Sequence, residues 1–428
     1  MGSGCSFRCS TRWCPHNRWS CRGLTESTPP ARGSLLRRNA SFRLLWSSRA
    51  TSYLGESLGL VALLVHLEGT SRAAIAAAML LVACDFVPGL FGPLAGAIAD
   101  RFDLRRVMIG CEVAQALLTA VIAIWLPELP ILLLLVAIRG FAAQIYLPAS
   151  RSAVPSLVDD RDVESANSTL GAGTYGLEAA GPLVAAALFG LLDVRGLLLI
   201  TAASYLIAAV VLVALPKLPS ARVDIEQGLI TSTRAGIGFL WSAPAIRVIA
   251  VGFFAIVAFN GVDDVALVFL AKDSLHGSDS EAAALYAGVG IGLAIGYPLL
   301  ARYASRFPTL ALLIVGFGIS SLGNLATGLA GVVITALLIQ IVRGLGLTAL
   351  DVAINTHLQR TVPREVLGRV FGTLYGLVGV AAGLSYLFGG ILLQLTDART
   401  TFVVAGVGGL LVTVVTALAL RRVSSSTS

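Results

Sequence analysis

From residue 44 onward, apolar residues come in long runs separated by short polar stretches. A helix that crosses a bilayer needs about 20 apolar residues at 1.5 Å rise each. Reading for that length predicts twelve spans: 44–67, 74–99, 107–127, 130–153, 168–192, 195–215, 246–271, 281–303, 308–329, 331–357, 367–395 and 399–420. They use most of the chain after residue 43 and leave no room for a soluble catalytic domain. The first run lies too deep and lacks a cleavage site, so it does not read as a cleavable signal peptide. The pattern predicts an all-α polytopic membrane protein of about 12 transmembrane helices.

Composition agrees. The 428 residues are 56% hydrophobic and 13% charged, with mean hydropathy +0.84. A soluble chain carries roughly twice that share of charge. Lys and Arg set the orientation. With the N-terminus in the cytoplasm, 24 fall on cytoplasmic segments and only Arg72, Arg195, Lys272 and Arg399 on outer loops. Arg49, Arg139 and Arg343 lie within spans. Both termini are therefore expected inside, with the protein in the cell (inner) membrane.

The longest internal connection, about 216–245, divides the spans six and six. It holds Pro216 and Pro219, then an amphipathic run to Trp241 that reads as a surface helix. The expected organisation is a disordered basic tail (1–43), two bundles (44–215 and 246–420), this linker, and a short tail (421–428). Cys5, Cys9, Cys14 and Cys21 in the first tail match no zinc spacing. Met1 to Ser6 fits a myristoylation pattern, but an anchor adds little to a spanning protein.

The halves look related. Arg139-Gly140 and Arg343-Gly344 are 204 apart, as are Gly92 and Gly296. Arg101-Phe102 and Arg306-Phe307 are 205 apart, and Gly55 and Gly261 are 206 apart. Two parallel six-span repeats with a substrate site between them are a transporter plan.

Span 2 ends in Gly96-Ala97-Ile98-Ala99-Asp100-Arg101-Phe102-Asp103-Leu104-Arg105-Arg106. Gly92 and Gly96 form a small-residue pair that lets helices approach closely. Asp100 can pair with Arg101, Arg105 or Arg106, or meet a neighbouring helix N-terminus. Glycines also recur in span 8 (Gly288, Gly292, Gly296) and span 11 (Gly368, Gly372, Gly376, Gly379, Gly383). Both stripes mark tight contacts, or contacts that slide.

The segment resembles the signature loop of the major facilitator superfamily. Asp103 stands where many members have glycine and Leu104 where many have a basic residue. Asp103, Gly92-Pro93-Leu94-Ala95-Gly96, Gly181-Pro182, and Val362-Pro363 through Gly368-Arg369 resemble its enterobactin-exporter and macrolide-efflux branch. The resemblance runs from about residue 39 to 420. It implies that Gly92, Gly96, Asp100, Arg101, Arg105 and Arg106 form a conformational latch, with span 11 as partner of Asp100. It also implies that spans 1, 4, 7 and 10 line a central cavity. The antiporter pattern of span 5 is imperfect, since Leu177 stands four before Gly181 and Gly176 is one residue out of place.

A charge near the bilayer centre costs about 2.5–3.5 kcal/mol on insertion scales, so each is a functional candidate. The substrate and proton pathway is read as Glu56, Asp85, Arg139, Glu178, Asn260, Asp263, Asp264 and Arg343. Asp85 shares a helical face with Gly89, Gly92 and Gly96, while Asp263 and Asp264 sit nearer the outer end. Asp351 sits nearer the cytoplasm, within reach of water. The competing reading has Arg139 and Arg343 stapling helices by neutralising carboxylates. With Arg49 left out as a span-end residue, membrane carboxylates outnumber arginines six to two, a hint of cationic or amphiphilic cargo.

The expected function is secondary-active export of a small molecule by alternating access, with protons as coupling ion. An importer of the same fold is the alternative, and a membrane receptor or enzyme the reading from another class. No GxxxxGK[ST] phosphate loop, HExxH or GxSxG motif occurs. No cofactor, metal or nucleic-acid partner is expected. The partners are substrate, protons and the bilayer, and the protein is read as a monomer and not an enzyme.

Overall fold

The computed structural model describes residues 34–68, 76, 79–189, 191–218, 229–277 and 279–425. With no water in a bilayer core, each backbone N–H and C=O must be satisfied within its own segment. The chain answers with helices. Span 1 is Ala40–Glu68, span 3 Leu104–Trp125, span 4 Leu129–Leu157, span 5 Val163–Phe189 and span 6 Val194–Val213. Span 8 is Asp279–Tyr303, span 9 Thr309–Gly328, span 10 Val333–Thr361, span 11 Leu367–Leu395 and span 12 Ala398–Ser425.

Two spans are broken. Span 2 joins Met79–Leu90 to Gly92–Arg101 at a 59° bend. Pro88 and Pro93 each begin a helical piece there, and a π turn covers Val82–Phe86. The continuous face predicted from Asp85 to Gly96 is thus interrupted. Span 7 runs Pro244–Asn260, breaks at Gly261, and resumes as Asp263–Phe269.

Among the described residues, ten helices are long and apolar enough to cross a bilayer, and the bent span 2 makes an eleventh. Span 5 is the twelfth by length, at 27 residues. Its Glu164, Asn167, Ser168, Thr169 and Thr174 lower its hydropathy. Residues such as Leu117, Ile124, Val210 and Val415 are more than half exposed and cover the belt that faces lipid.

The caps explain several loop residues. Asp103 caps span 3 by accepting from Arg106 N at 3.1 Å. That is why a carboxylate serves where glycine is usual: it satisfies an orphan N–H of the first turn. Asp193 caps span 6 in the same way, accepting from Gly196 N at 2.9 Å. The linker forms a helix over Leu229–Ser242, whose Gly236 lies against the Arg369 side chain.

Two terminal expectations change. Residues 1–33, with their four cysteines, lie outside the described residues. Leu35–Arg38 is already helical, and span 1 begins at Ala40 rather than 44. Arg38 pairs with Asp162 at 2.6 Å, which ties this stretch to the fold. At the other end, span 12 continues through Ser425.

The repeat is legible in packing. A Cβ at Gly140 would lie 2.7 Å from Pro88, and one at Gly344 would lie 2.8 Å from Gly292 Cα. Pro88 and Gly292 are again 204 positions apart, so span 4 sits on span 2 as span 10 sits on span 8. The two glycine stripes have different jobs. That of span 8 packs within its own half, against Gln340, Gly344 and Thr348 of span 10. That of span 11 packs across the halves, on Gly89, Gly92 and Gly96 of span 2.

Candidate functional site

Side-chain hydrogen bonds and ion pairs that join the two halves cluster toward one face. This is the face that carries the loops near 103, 160, 305 and 364, and it is called here the basic face. Arg151 of span 4 donates to Asp351 of span 10 at 3.1 Å. Tyr297 and Asn355 also donate to that carboxylate, at 3.2 and 2.9 Å. Asn167 of span 5 donates to Thr356 and Gln359 at 3.0 and 2.7 Å. Nearer the surface, Arg360 grips Glu164 and Asp160, and Arg364 donates to Pro155 O at 2.8 Å.

Asp351 was expected to reach water. It is buried, 8% exposed, and its charge is met by Arg151 across the halves. Arg151 is fully buried, although the loop count of basic residues takes it for a loop residue.

Asp100 completes this face. It accepts from Gly368 N at 2.7 Å and from Arg369 N and Nε at 2.9 and 3.0 Å. The first N–H groups of a helix have no internal partner, and the helix dipole favours an anion there. Arg105 instead donates to Leu212 O at 3.2 Å and to Val213 O, closing the end of span 6. Arg106 serves the Asp103 cap through its backbone. The six residues grouped by sequence therefore divide: Gly92, Gly96 and Asp100 meet span 11, while Arg105 and Arg106 hold their own half. Arg101 ends the span 2 helix.

Asp100→Ala is expected to loosen the first turn of span 11. Hydrogen bonds to a charged group contribute about 1.5–3 kcal/mol each. Amide hydrogen exchange at Gly368 and Arg369 should rise well above that of span 11 beyond Thr373. Unchanged exchange would mean that other groups hold this turn.

Mid-depth charges form a separate cluster in each half. In the first, Arg139 is 4% exposed and donates to Tyr205 OH at 3.1 Å. Its charged neighbour is Glu56 of span 1, which is half-buried and within no 4.0 Å ion pair. In the second, Arg343 donates to Asp263 at 2.5 Å, to Gln340 at 3.1 Å and to Asn260 O at 3.4 Å. This pairing puts Asp263 at the depth of Arg343, deeper than expected. The helix break at Gly261 withdraws Asn260 O from the usual ladder, and Arg343 and Asn324 take it up. Asn260 also donates to Ser320 and Ser321 at 3.2 Å each. The side chains of Asp85, Glu178 and Asp264 lie outside what the structure describes.

Three buried charged groups were missed in the sequence. Arg49 of span 1 is 1% exposed and donates to Thr174 and Ser150 at 2.9 and 2.6 Å. Arg151 is the second. Glu112 of span 3 is fully buried and accepts from Ser52 at 3.1 Å. Glu112 stands alone in an apolar run, the same signal that flagged Glu56. Arg49 and Arg151 join the arginines of the spans and Glu112 joins the carboxylates, so carboxylates still outnumber arginines. Gly176, the misplaced glycine of span 5, faces open space within 4 Å, so it makes no helix contact.

Hydrogen bonds between the halves thus gather on one face, and each half holds its own buried charged cluster. The sequence model of the Major Facilitator Superfamily matches residues 45–270 and 263–428. The chain belongs to the Major Facilitator Superfamily. It is a multi-pass membrane transporter.

It is 26% identical over 386 residues to the uncharacterised MFS-type transporter YfiS of Bacillus subtilis, covering 87% of this chain and 91% of that one. It is 21% identical over 379 residues to macrolide efflux protein A of Streptococcus pyogenes, covering 85% and 92%. Its fold matches the human organic anion transporter MFSD10, with TM-score 0.74 and 17% identity, over 88% of this chain and 98% of that one. It also matches a bacterial homologue of the iron transporter ferroportin, with TM-score 0.69 and 20% identity, over 89% and 99%.

Proposed function

We propose that this transporter is a secondary exporter of a small amphiphilic molecule, such as a drug or siderophore, driven by protons moving the other way. The basic face is cytoplasmic in this reading, on the balance of Lys and Arg across the loops. The observation that carries it is the lock on one face: Asp100, Arg151, Asn167 and Arg360 join the halves near that face. The state is then closed to the cytoplasm. A proton arriving from outside neutralises Glu56, whose field otherwise helps balance Arg139. Substrate and proton compete for this pair, and that competition couples two opposed flows. The latch of span 2 on span 11 parts when the halves rock. Relatives named for macrolide efflux support export of an amphiphile.

The test is erythromycin accumulation and proton movement in energised inverted vesicles. Wild type should take up erythromycin and release protons from the vesicle lumen. Glu56→Gln should keep binding but lose coupling, and Arg139→Ala should lose both, each by about 10²-fold, the lower end of what a group acting in a proton step contributes. Coupled transport unchanged in both variants would overturn the assignment. Erythromycin moving in the opposite direction under the same gradient would make the protein an importer.

A further inference from the structure

Glu112 has no part in the mechanism above, yet among the described carboxylates of the first half it is the most completely buried. It lies at zero exposure, eight residues into span 3, or about 12 Å from the start of that helix at 1.5 Å per residue. Ser52 donates to its Oε2 at 3.1 Å, and its Oε1 makes no hydrogen bond. The Tyr146 hydroxyl of span 4, buried and also without a hydrogen bond, faces the same space. Thr119, two turns along span 3, has a second unbonded buried hydroxyl.

The charged and titratable groups around it are few. Span 1 presents Glu56, span 4 Tyr146, span 6 Tyr205, and span 3 its own Cys111. No cation lies within 4.0 Å among the described residues. Arg49 is the nearest candidate along span 1, but its guanidinium is held by Thr174, Ser150 and the face of Tyr53. An ionised carboxylate out of water, with only the neutral hydroxyls of Ser52 and Tyr146 to ease it and a second carboxylate as its charged neighbour, is opposed by desolvation and by repulsion. The neutral acid removes both penalties and gives Oε1 a proton to donate toward Tyr146.

We propose that Glu112 is a proton-holding site of this chain, occupied in the state with the basic face locked and reached from the outer side through Glu56 and Ser52. Ser52 and Glu56 are one turn apart on span 1, and Glu56 is half-buried, so the pair offers a path to Glu112. The proton leaves when the halves part at the basic face and water reaches span 3 from that side. This rests on the proton-coupled reading of the function, and the experiment separates the two.

Infrared spectra of the purified full-length protein in lipid nanodiscs are to be recorded at neutral pH. Wild type should carry a buried carboxylic-acid C=O band. Glu112→Gln should lose it, Glu56→Gln should retain it, and Ser52→Ala should shift its frequency by removing a hydrogen bond. A Glu112→Gln spectrum identical to wild type in that region overturns the proposal. If that variant does not fold, a band unmoved by Ser52→Ala overturns it instead. In proteoliposomes, erythromycin flux should move protons in wild type and none in Glu112→Gln. A wild type that carries erythromycin without protons sinks the coupled reading of the function, while the infrared band still decides whether Glu112 holds a proton.

Discussion

Asp263→Leu is expected to lower the stability of the folded protein by about 3–5 kcal/mol, the cost of stranding a buried charge. Arg343→Met should cost clearly less. The asymmetry follows from which partner can discard its charge. Arg343 is 3% exposed on its side chain and bonds Asp263 at 2.5 Å. A guanidinium stays protonated under all working conditions, so without Asp263 it remains a cation whose described partners are Gln340 and the Asn260 carbonyl. Asp263, left without Arg343, can take up a proton and become neutral. The double variant Asp263→Leu with Arg343→Met should recover most of the loss. Thermal unfolding of the purified protein in detergent gives the comparison, and a double-mutant cycle gives the coupling. Equal losses in the two single variants, adding without coupling in the double, would mean that the pair contributes little beyond packing. Erythromycin flux adds a second axis. A staple alone predicts that the double variant transports normally, whereas a transport role for the pair predicts a stable and inactive protein.

The sequence carried much of this fold because the bilayer leaves few options. Twelve apolar runs must be helices, and the loop arginines orient them. The Gly92–Gly96 pair and Asp100 were legible because small residues and a capping carboxylate have one economical arrangement, a close helix with an exposed N-terminus. The breaks in spans 2 and 7 were harder. Gly261 and Pro88 are visible punctuation, but whether a spanning helix bends or simply carries them depends on what takes up the freed carbonyls. At Asn260 those acceptors are satisfied by Arg343 and Asn324, 83 and 64 residues away. The role of Arg151 was hidden for a related reason. Counting arginines along the chain assigns it to a loop, and only the packing of span 4 against span 10 brings it to Asp351. Glu112 was open to the same rule that selected Glu56, while its isolation from any cation is a property of spans 1, 3, 4 and 6 together.

A small apolar side chain on the inner face of span 2 should change the state of the transporter more than its fold. A Cβ at Gly92 would stand 2.5 Å from Gly376 Cα, and one at Gly372 would stand 2.6 Å from Gly96 Cα. Both neighbours are backbone, which has no rotamer to yield, so the helices must separate. Overpacking of this kind costs about 1–3 kcal/mol, enough to move a two-state population roughly 5–150-fold. The penalty falls only on the arrangement in which spans 2 and 11 touch. Gly92→Val should therefore bias the protein toward opening at the basic face while leaving each half folded. Gly292→Val is the matched control. Its Cβ would meet Gly344 Cα at 2.8 Å within one half, so it should lower thermal stability in every state. Gly110→Ala, which has nothing within 4 Å, should be neutral or mildly stabilising through helix propensity. A cysteine placed at Asn167, in a background with the native cysteines replaced, reports the outcome through its rate of labelling by a maleimide. Asn167 is buried against Thr356 and Gln359 in the locked state, so labelling should quicken with Gly92→Val and stay slow with Gly110→Ala. If Gly92→Val instead lowers thermal stability as far as Gly292→Val and leaves labelling slow, the close approach of spans 2 and 11 holds the fold together in both states. It could not then be the contact that parts.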